Sequence, residues 1–394
     1  MKLHYARCRH GIMPQLSYLC AWRRVSDSLP GKWPWQDAEK RKLRSVPMNK
    51  IKTVIAADDV PFHHGDIIDY VYGSNRDKIA ELTDLHPVRI TTKNLKRELP
   101  RLAEIEAIFS TWGLPPFTPE QLARLPNLKV LFYAAGAVHG FVGKFQARGI
   151  TVCSAVDANA IPVAEYVLAH ILLGCKNFHR NSLLCRRGPW QQSDMPAGPG
   201  CYGETVALIG VGAITRHLLK LLKPFKLRII AVSRHLAGQP EEAKALGIDK
   251  IVDLEEAFRS AYVVSNHLPD TEALRGTLRY EHFVSMRYGA TFLNTGRGAQ
   301  VNEKELCAAL VERPDLNAVL DVQYPEPPKS GSPLYTLPNV QLSSHIAGSC
   351  NNEVRRMSDY MLDDLQRYLA GEPLLHTVPP ANGIWCREST GLEG

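Results

Sequence analysis

The chain has 394 residues, of which 45% are apolar and 22% charged, a composition typical of a globular protein with about two domains. The first 47 residues hold ten Lys and Arg against three Asp and Glu, which accounts for the whole formal net charge of +7. A neutral body offers no basic face to nucleic acid, and no apolar run has the about 18 residues that a membrane span needs. We therefore expect a cytoplasmic protein without a nucleic-acid or membrane partner.

The nine cysteines include no Cys-x-x-Cys pair, and their number is odd. Both facts argue against a disulfide framework and against a zinc site. We expect reduced thiols and no metal.

The first 47 residues lack any sustained hydrophobic period, and Pro14 and Gln15 break the apolar stretch that follows the basic start. A transit peptide is an alternative, because residues 1–26 contain arginines and no acid. The pattern favours a poorly ordered extension ahead of a domain that begins near Met48.

From Lys50 onward, apolar strand patterns alternate with helical ones. Three strands are predicted first, at Thr53–Ala57, Glu106–Ser110 and Leu128–Ala134. A long amphipathic helix follows at 161–178, and a proline- and glycine-rich connection ends near residue 200. Six short strands come next, at 205–209, 228–232, 262–265, 291–294, 317–321 and 340–343, and a last helix at 352–370. This alternation is typical of parallel sheets with helices on both faces.

The first of the six strands runs into the string Gly210-Val211-Gly212-Ala213-Ile214-Thr215, and a helix is predicted at His217–Lys223. With the second strand this makes a βαβ unit of about thirty residues, which is the setting of a dinucleotide-binding fingerprint. Gly210 permits the tight turn, and Gly212 lets the backbone approach a pyrophosphate at the helix N-terminus, beside Ala213 and Ile214. The alternative is a glycine turn in a flavodoxin-like domain without a cofactor.

The fingerprint departs from its usual form at two places. Thr215 stands where a third glycine is usual, and the second strand ends in Ser233-Arg234-His235 instead of an acid. An acid there binds the ribose of NAD and repels the 2′-phosphate of NADP. The serine removes this repulsion and Arg234 can bind a phosphate, so we expect NADP in preference to NAD.

Three charged side chains follow the ends of three successive strands: Arg297, Glu326 and His345. Ligands of open α/β sheets bind at this edge. Arginine binds a carboxylate with two parallel hydrogen bonds, histidine exchanges protons near neutral pH, and a glutamate can orient the histidine ring. Taken singly, these residues could instead be an ion-pair arginine, a solvated loop glutamate and a hydrogen-bonded core histidine.

In their order, these motifs resemble the D-isomer-specific 2-hydroxyacid dehydrogenase family over roughly residues 50–378. The resemblance implies an α/β fold in which a Rossmann-type doubly wound parallel sheet, the dinucleotide domain, is inserted in a smaller flavodoxin-like substrate domain. The implied boundaries are an extension at 1–47, the substrate domain at 48–150 and 346–378, the NAD(P)-binding domain at 151–345, and a tail at 379–394.

The resemblance also implies roles for single residues. Arg297 would bind the substrate carboxylate, His345 would be the acid/base, and Glu326 its partner. Further cofactor contacts are implied at Leu268, Pro269, Thr295, Gly296, Asp321 and Gly348, and substrate contacts at Ala135, Gly136 and Ala137. The family likeness further implies a homodimer.

These roles predict an oxidoreductase that moves a hydride between a nicotinamide cofactor and a D-2-hydroxy acid or 2-oxo acid. The alternative is a non-catalytic, nucleotide-sensing protein that resembles the family's corepressor-like members. Formate dehydrogenase is disfavoured, because that relative resembles this pattern with a glutamine in place of Glu326.

Overall fold

The computed structural model describes residues 50–60 and 65–380, which lie in one compact unit. The predictions for the extension at 1–47 and for most of the tail lie outside these residues.

Five parallel strands form a first sheet. They are β1 (Lys52–Ile55), β2 (Asp84–Leu85), β3 (Ala107–Ser110), β4 (Val130–Tyr133) and β5 (Thr151–Ser154). Their spatial order is β2-β1-β3-β4-β5, which is the strand order of flavodoxin-like domains.

Seven parallel strands form a second sheet. They are β6 (Thr205–Ile209), β7 (Arg228–Val232), β8 (Lys250–Ile251), β9 (Val263–Asn266), β10 (Thr291–Asn294), β11 (Asn317–Leu320) and β12 (Val340–Leu342). Their order is β12-β11-β10-β9-β6-β7-β8, the doubly wound order of a Rossmann domain with one additional strand. Strands β7 and β8 are added on one side of β6, and β9 to β12 on its other side, so the strand order reverses between β6 and β9. The predicted fold class is confirmed.

Thirteen α-helices connect these strands within the described residues. Those around the first sheet are α1 (Ile67–Val71), α2 (Asn75–Leu82), α3 (Leu95–Glu98), α4 (Pro119–Ala123) and α5 (Val142–Gln146). The next two are α6 (Val156–Cys175) and α7 (Phe178–Cys185). The remaining helices are α8 (Ala213–Leu222), α9 (Pro240–Ala245), α10 (Leu254–Ser260), α11 (Tyr280–Val284), α12 (Glu303–Glu312) and α13 (Val354–Leu369).

Helix α13 returns to the first sheet after the second sheet is complete. Its Met357, Met361 and Leu365 are fully buried in one core with Phe109 and Phe132 of β3 and β4. The chain then runs along β5, where the N–H of residue 378 donates to the carbonyl of residue 152 at 2.7 Å. The core of the first sheet therefore contains residues from both ends of the described chain.

The boundary predicted after residue 150 needs a correction. Strand β5 pairs with β4 residue by residue, from Val130 opposite Thr151 to Tyr133 opposite Ser154, so it belongs to the first sheet. Its sequence Thr-Val-Cys-Ser has a polar residue at each end and only two apolar residues between them, so it shows no apolar run by which a strand is recognised. The chain leaves the first sheet at the start of α6, not at residue 150.

Helix α6 begins five residues before its predicted start and ends at Cys175, where Asn177 adopts a left-handed conformation with φ of 55°. By length and composition alone, α6 is apolar enough to cross a membrane, contrary to the expectation from the sequence that no segment is. Half of its most apolar window is buried inside the protein, and Val163, Val167 and Ile171 pack into the core of the second sheet. These are the properties of a core helix.

Candidate active site

The carboxyl ends of the central strands of the second sheet lie at one level. In neighbouring strands, Asn294 of β10 pairs with Asn266 of β9 on one side and with Leu320 of β11 on the other. Leu320 in turn pairs with Leu342 of β12. Because all four strands are parallel, the loops that follow them leave from the same edge. These loops carry Arg297, Glu326 and His345, so the structure brings the three predicted side chains to one edge.

The side chains of His345 and Glu326 are hydrogen-bonded to each other. Nδ1 of His345 lies 2.8 Å from Oε1 of Glu326, and both side chains are partly exposed. His345 has a φ of 62°, a left-handed backbone conformation that residues other than glycine rarely adopt. Its N–H donates to the carbonyl of Asp321 at 3.0 Å. The loop therefore holds the imidazole in an unusual backbone conformation against a carboxylate.

Asp321 fixes the loop that carries His345 through hydrogen bonds. Its carboxylate accepts hydrogen bonds from the hydroxyl of Ser343 at 2.6 Å and from the N–H groups of Ile346 and Ala347 at 2.9 and 3.0 Å. The side chain is 1% exposed. The structure thus gives Asp321 a positioning role on both sides of His345, which no pattern in the sequence indicated. Its predicted contact with the nicotinamide stays a prediction.

The guanidinium of Arg297 is partly exposed and has two partners within the protein. Nη1 donates to the carbonyl of Gly296 at 2.7 Å, and Nε lies 3.8 Å from Oδ2 of Asp270. Asp270 is itself partly exposed, and no motif in the sequence indicated it. Because guanidinium has five N–H donors, the side chain can bind an added carboxylate while it keeps the Gly296 contact.

The fingerprint loop has the geometry that a pyrophosphate needs. Gly210 has a φ of 94°, and a Cβ there would lie 2.9 Å from the carbonyl oxygen of His267. A Cβ at Gly212, in contrast, would meet no protein atom within 4 Å. Helix α8 begins directly after it at Ala213 and has no side-chain cap, so the N–H groups of its first turn, including that of Ile214, are open to an anion. These residues fit a dinucleotide cofactor.

The two departures from the usual fingerprint are accommodated locally. The hydroxyl of Thr215 donates to the carbonyl of Gly210 at 2.7 Å and so stabilises the turn. At the end of β7, Oγ of Ser233 accepts the N–H of Leu236 at 3.2 Å, which leaves its own proton free to donate. Helix α8 starts four residues before the predicted position, so the fingerprint itself forms its first turn.

The loop after β9 forms a neutral wall beside the fingerprint. His267 is buried, and burial lowers the pKa of its imidazole to about 4. Its ring nitrogens lie 2.9 Å from the hydroxyl of Ser265 and 3.4 Å from that of Thr295. The predicted contacts Leu268 and Pro269 follow directly in the chain.

The loop after β4 presents backbone donors. The hydroxyl of Ser154 donates to the carbonyls of Ala135 and Gly136 at 3.0 and 2.8 Å, which turns these oxygens inward. Within residues 50–60 and 65–380, neither the N–H of Gly136 nor that of Ala137 has an acceptor. These two predicted substrate contacts are therefore free donors, whereas the N–H of Ala135 bonds to the carbonyl of Tyr133.

Asn159 lies where the two parts of the chain cross. Asn159, in the first turn of α6, accepts the N–H of Ser349 at 2.9 Å. A Cβ at Gly348 would lie 3.3 Å from the same amide oxygen, and one at Gly136 3.5 Å from the amide nitrogen. Gly348 thus permits close packing where the chain crosses from the second sheet back to the first, next to the loop after β4.

Comparison with known proteins identifies the family of this chain. The family model described as "D-isomer specific 2-hydroxyacid dehydrogenase, NAD binding domain" matches residues 168–347. A formate dehydrogenase of Neurospora crassa is 30% identical over 275 residues, which cover 68% of this chain and 72% of that protein. The chain belongs to the D-isomer-specific 2-hydroxyacid dehydrogenase family.

Two further proteins show how much of the chain is similar to known proteins in sequence and in fold. A D-3-phosphoglycerate dehydrogenase of Methanocaldococcus jannaschii is 28% identical over 299 residues, which cover 76% of this chain and 56% of that protein. The chain thus spans about half the length of the first curated relatives that it matches. The crystal structure of a phosphoglycerate oxidoreductase from Rhizobium etli superposes with a TM-score of 0.69 at 20% identity, over 84% of this chain and 98% of that one. This last likeness shows the fold.

Proposed function

We propose that this protein is an oxidoreductase that interconverts a 2-oxo acid and the corresponding D-2-hydroxy acid, with Arg297, Glu326 and His345 as its catalytic residues. The observation that carries the proposal is the pair of His345 and Glu326, 2.8 Å apart at the sheet edge that also carries Arg297. A bound nicotinamide cofactor would supply or accept the hydride. The chain itself has to bind the acid and move one proton.

The proton step follows from the orientation of His345. A carboxylate at Nδ1 favours the tautomer in which Nδ1 carries a proton and donates it to Glu326. Nε2 is then the nitrogen that exchanges a proton with the substrate. During reduction, Nε2–H donates its proton to the carbonyl oxygen of the 2-oxo acid as C2 receives the hydride. The imidazolium, whose positive charge Glu326 stabilises, thereby becomes neutral. In the reverse direction, the neutral Nε2 accepts the hydroxyl proton.

The carboxylate of the substrate would be bound from two sides. Arg297 offers a planar pair of N–H donors, and the free N–H groups of Gly136 and Ala137 offer two more. Fixing the carboxylate places C2 and its oxygen in one orientation relative to His345, which lowers the entropy that the reaction has to lose.

The His345–Glu326 pair favours 2-oxo acid chemistry over formate oxidation, although the chain is also similar to formate dehydrogenases. Formate gives up a hydride and becomes carbon dioxide without releasing or taking up a further proton. That reaction has no use for an acid/base pair. Reduction of a carbonyl needs a proton at oxygen for every hydride at carbon.

The variant His345→Gln tests the proposal. We expect it to lower the rate of 2-oxo acid reduction by about 10²- to 10⁴-fold, because general acid catalysis is lost, and to leave cofactor affinity unchanged. The matched control is His86→Gln, on the far edge of the first sheet, which should keep full activity. Native turnover retained by His345→Gln would overturn the proposal. Cofactor binding without any turnover by the native chain would favour the corepressor-like alternative.

We further propose that NADP(H) is preferred over NAD(H). The side chains of Arg234 and His235 are exposed beyond β7, and neither makes an ion pair or hydrogen bond among the described residues. Ser233 has a free hydroxyl proton, and no acid stands there to repel a 2′-phosphate. A lost hydrogen bond to a charged phosphate costs about tenfold to a hundredfold in affinity.

The variant Arg234→Ala tests this preference. It should lower the catalytic efficiency with NADPH about tenfold to a hundredfold and leave the efficiency with NADH unchanged. Arg259→Ala removes another exposed arginine, from the end of α10, and serves as the control. A native preference for NADH, or a ratio that Arg234→Ala does not change, contradicts the proposal.

We also infer a homodimer. Helix α7 buries none of its residues, and the aromatic side chains of Phe178, Trp190 and Tyr288 are each about half or more exposed on or near it. Arg180 of α7 lies over the ring of Tyr288, 5.6 Å from its centre. Such exposed aromatic surface is typical of a protein interface. Light scattering coupled to size exclusion should give twice the mass of 43.9 kDa, and a monomer would contradict the inference.

A further inference from the structure

Three buried amide side chains form a closed network beneath the loop that carries Arg297. Asn266 ends β9, Asn294 ends β10 and Gln300 follows the Arg297 turn, and each is at most 1% exposed. Nδ2 of Asn266 donates to Oδ1 of Asn294 at 3.0 Å and to Oε1 of Gln300 at 2.7 Å. A buried amide is costly unless its polar atoms are bonded. All six amide nitrogen and oxygen atoms of this network have partners.

The outward bonds of the network go first to the backbone of Arg297. Its N–H donates to Oε1 of Gln300 at 3.1 Å, and its carbonyl accepts Nδ2 of Asn294 at 3.3 Å. The N–H of Gly296 donates to Oδ1 of Asn294 at 3.1 Å. Both backbone polar groups of the predicted carboxylate-binding residue are therefore fixed by buried side chains.

The same network holds the wall that follows β9. Nε2 of Gln300 donates to the carbonyls of Leu268 and Pro269 at 3.0 and 2.8 Å, and the N–H of Leu268 donates to Oδ1 of Asn266 at 3.3 Å. One side chain, Gln300, thus ties the substrate-binding loop after β10 to the predicted cofactor wall after β9.

Gly296 shows how closely the network packs against the turn. A Cβ at this position would lie 2.8 Å from both Nδ2 of Asn266 and Oε1 of Gln300, closer than real Cβ contacts. The carbonyl of Gly296 is also the acceptor of Nη1 of Arg297 at 2.7 Å. The direction of the guanidinium therefore depends on a peptide that rests directly on the two amides.

We propose that Asn294 and Gln300, which Asn266 bonds to each other, are positioning residues that fix the backbone of Arg297 and through it the direction of the carboxylate-binding guanidinium. This inference rests on the proposed role of Arg297 in substrate binding. It predicts that removing the polar end of Gln300 weakens the binding of a 2-oxo acid although Gln300 does not touch it. It also predicts that any residue that retains an acceptor for the N–H of Arg297 preserves part of that binding.

The test measures binding of oxamate, an unreactive analogue of a 2-oxo acid, to the full chain saturated with reduced cofactor, by titration calorimetry. Gln300→Met keeps the length of the side chain and loses all four hydrogen bonds, so we expect oxamate affinity to fall about tenfold or more. Gln300→Glu keeps the acceptor for the N–H of Arg297, so its affinity should lie between those of Gln300→Met and the native chain.

The matched control is Asn317→Leu, which removes a buried amide at the amino end of β11, where Asn317 bonds to Asn177. It should lower the melting temperature and leave oxamate affinity unchanged. Oxamate binding by Gln300→Met and by Gln300→Glu within twofold of native would overturn the positioning role, as would Gln300→Glu binding no better than Gln300→Met.

Arg297→Ala separates this inference from the function on which it rests. If Arg297→Ala loses oxamate binding while both Gln300 variants keep it, only the positioning role is wrong. If Arg297→Ala binds oxamate like the native chain, the proposed role of Arg297 is wrong, and the positioning inference falls with it.

Discussion

The two glycines of the fingerprint are required for different physical reasons. Gly210 has a positive φ and lies against the backbone of His267, so a side chain there conflicts with the folded protein itself. Gly212 has an ordinary φ of −100°, and the space beside it contains no protein atom. Its glycine is explained by the ligand that would occupy that space.

Alanine substitution at each glycine should therefore give opposite results. Gly210→Ala should lower the free energy of unfolding by more than about 1 kcal/mol, because Ala is strained at positive φ and its Cβ contacts a carbonyl. Gly212→Ala should keep the native melting temperature and weaken cofactor binding. Thermal unfolding and cofactor titration on both variants check this, and a Gly212→Ala protein that binds cofactor normally would contradict it.

At the scale of residues, the sequence indicated the side chains that we propose as catalytic better than those that hold them in place. Arg297, Glu326 and His345 each follow a recognisable strand, so their common edge could be predicted from topology alone. Asp321 was predicted for a different contact, and Asn266, Gln300 and Asp270 were missed. Most of their side-chain partners lie more than 20 residues away in the sequence, which no local pattern reveals.

At the scale of elements, helix α6 and the loop after β9 bury imidazoles that ordinarily titrate near neutral pH. Burial, and then the charge of His179, lowers the pKa of His170 on α6 to about 4, and burial alone does the same for His267. Both rings are therefore neutral in the folded protein at neutral pH. In the unfolded chain, histidine titrates near a pKa of about 6.5.

This difference predicts acid sensitivity in a defined window. Between pH of about 6.5 and 4 the unfolded state binds more protons, so the free energy of unfolding falls as the pH falls, by up to about 1.4 kcal/mol per pH unit for each ring. His170→Phe should reduce this slope, and His235→Phe, which removes an exposed ring, should not. Urea unfolding across this pH range measures the slope, and an unchanged slope in His170→Phe would contradict the assignment.

The strands that could not be predicted from the sequence are short or have few apolar residues. Every strand of the second sheet with three or more residues was predicted within two residues at each end. The missed strands are β2, β5 and β8, of which two have only two residues and the third four. All three lie at the edges of their sheets and contain at most two apolar residues, so none of them shows a long apolar run.

At the scale of the whole molecule, the first sheet depends on the end of the chain. Helix α13 buries Met361 against the same core as β3 and β4, although about 230 residues and the entire second sheet lie between them in sequence. The loop after β4, which we propose to bind substrate, and the loop of His345 are thereby joined through α13 and the crossing at Asn159.

Met361→Ala should accordingly weaken a part of the protein that is remote in sequence. The cavity should cost about 2–5 kcal/mol, because Met361 is fully buried. Hydrogen exchange should quicken in β3 and β4 more than in β6 and β7. Val311→Ala, on α12, removes an apolar side chain that is 66% exposed and should change little. Unaltered exchange in β3 and β4 would contradict the shared core.

The central claim is that the chain reduces 2-oxo acids by means of Arg297, His345 and Glu326. The most direct measurement follows the consumption of reduced nicotinamide cofactor, NADPH and NADH in turn, by the full chain with a panel of 2-oxo acids that includes glyoxylate and hydroxypyruvate. Our account predicts turnover of at least one 2-oxo acid, faster with NADPH, and loss of that turnover in His345→Gln and Arg297→Ala. Oxidation of formate without reduction of any 2-oxo acid, or turnover that survives both substitutions, would contradict it.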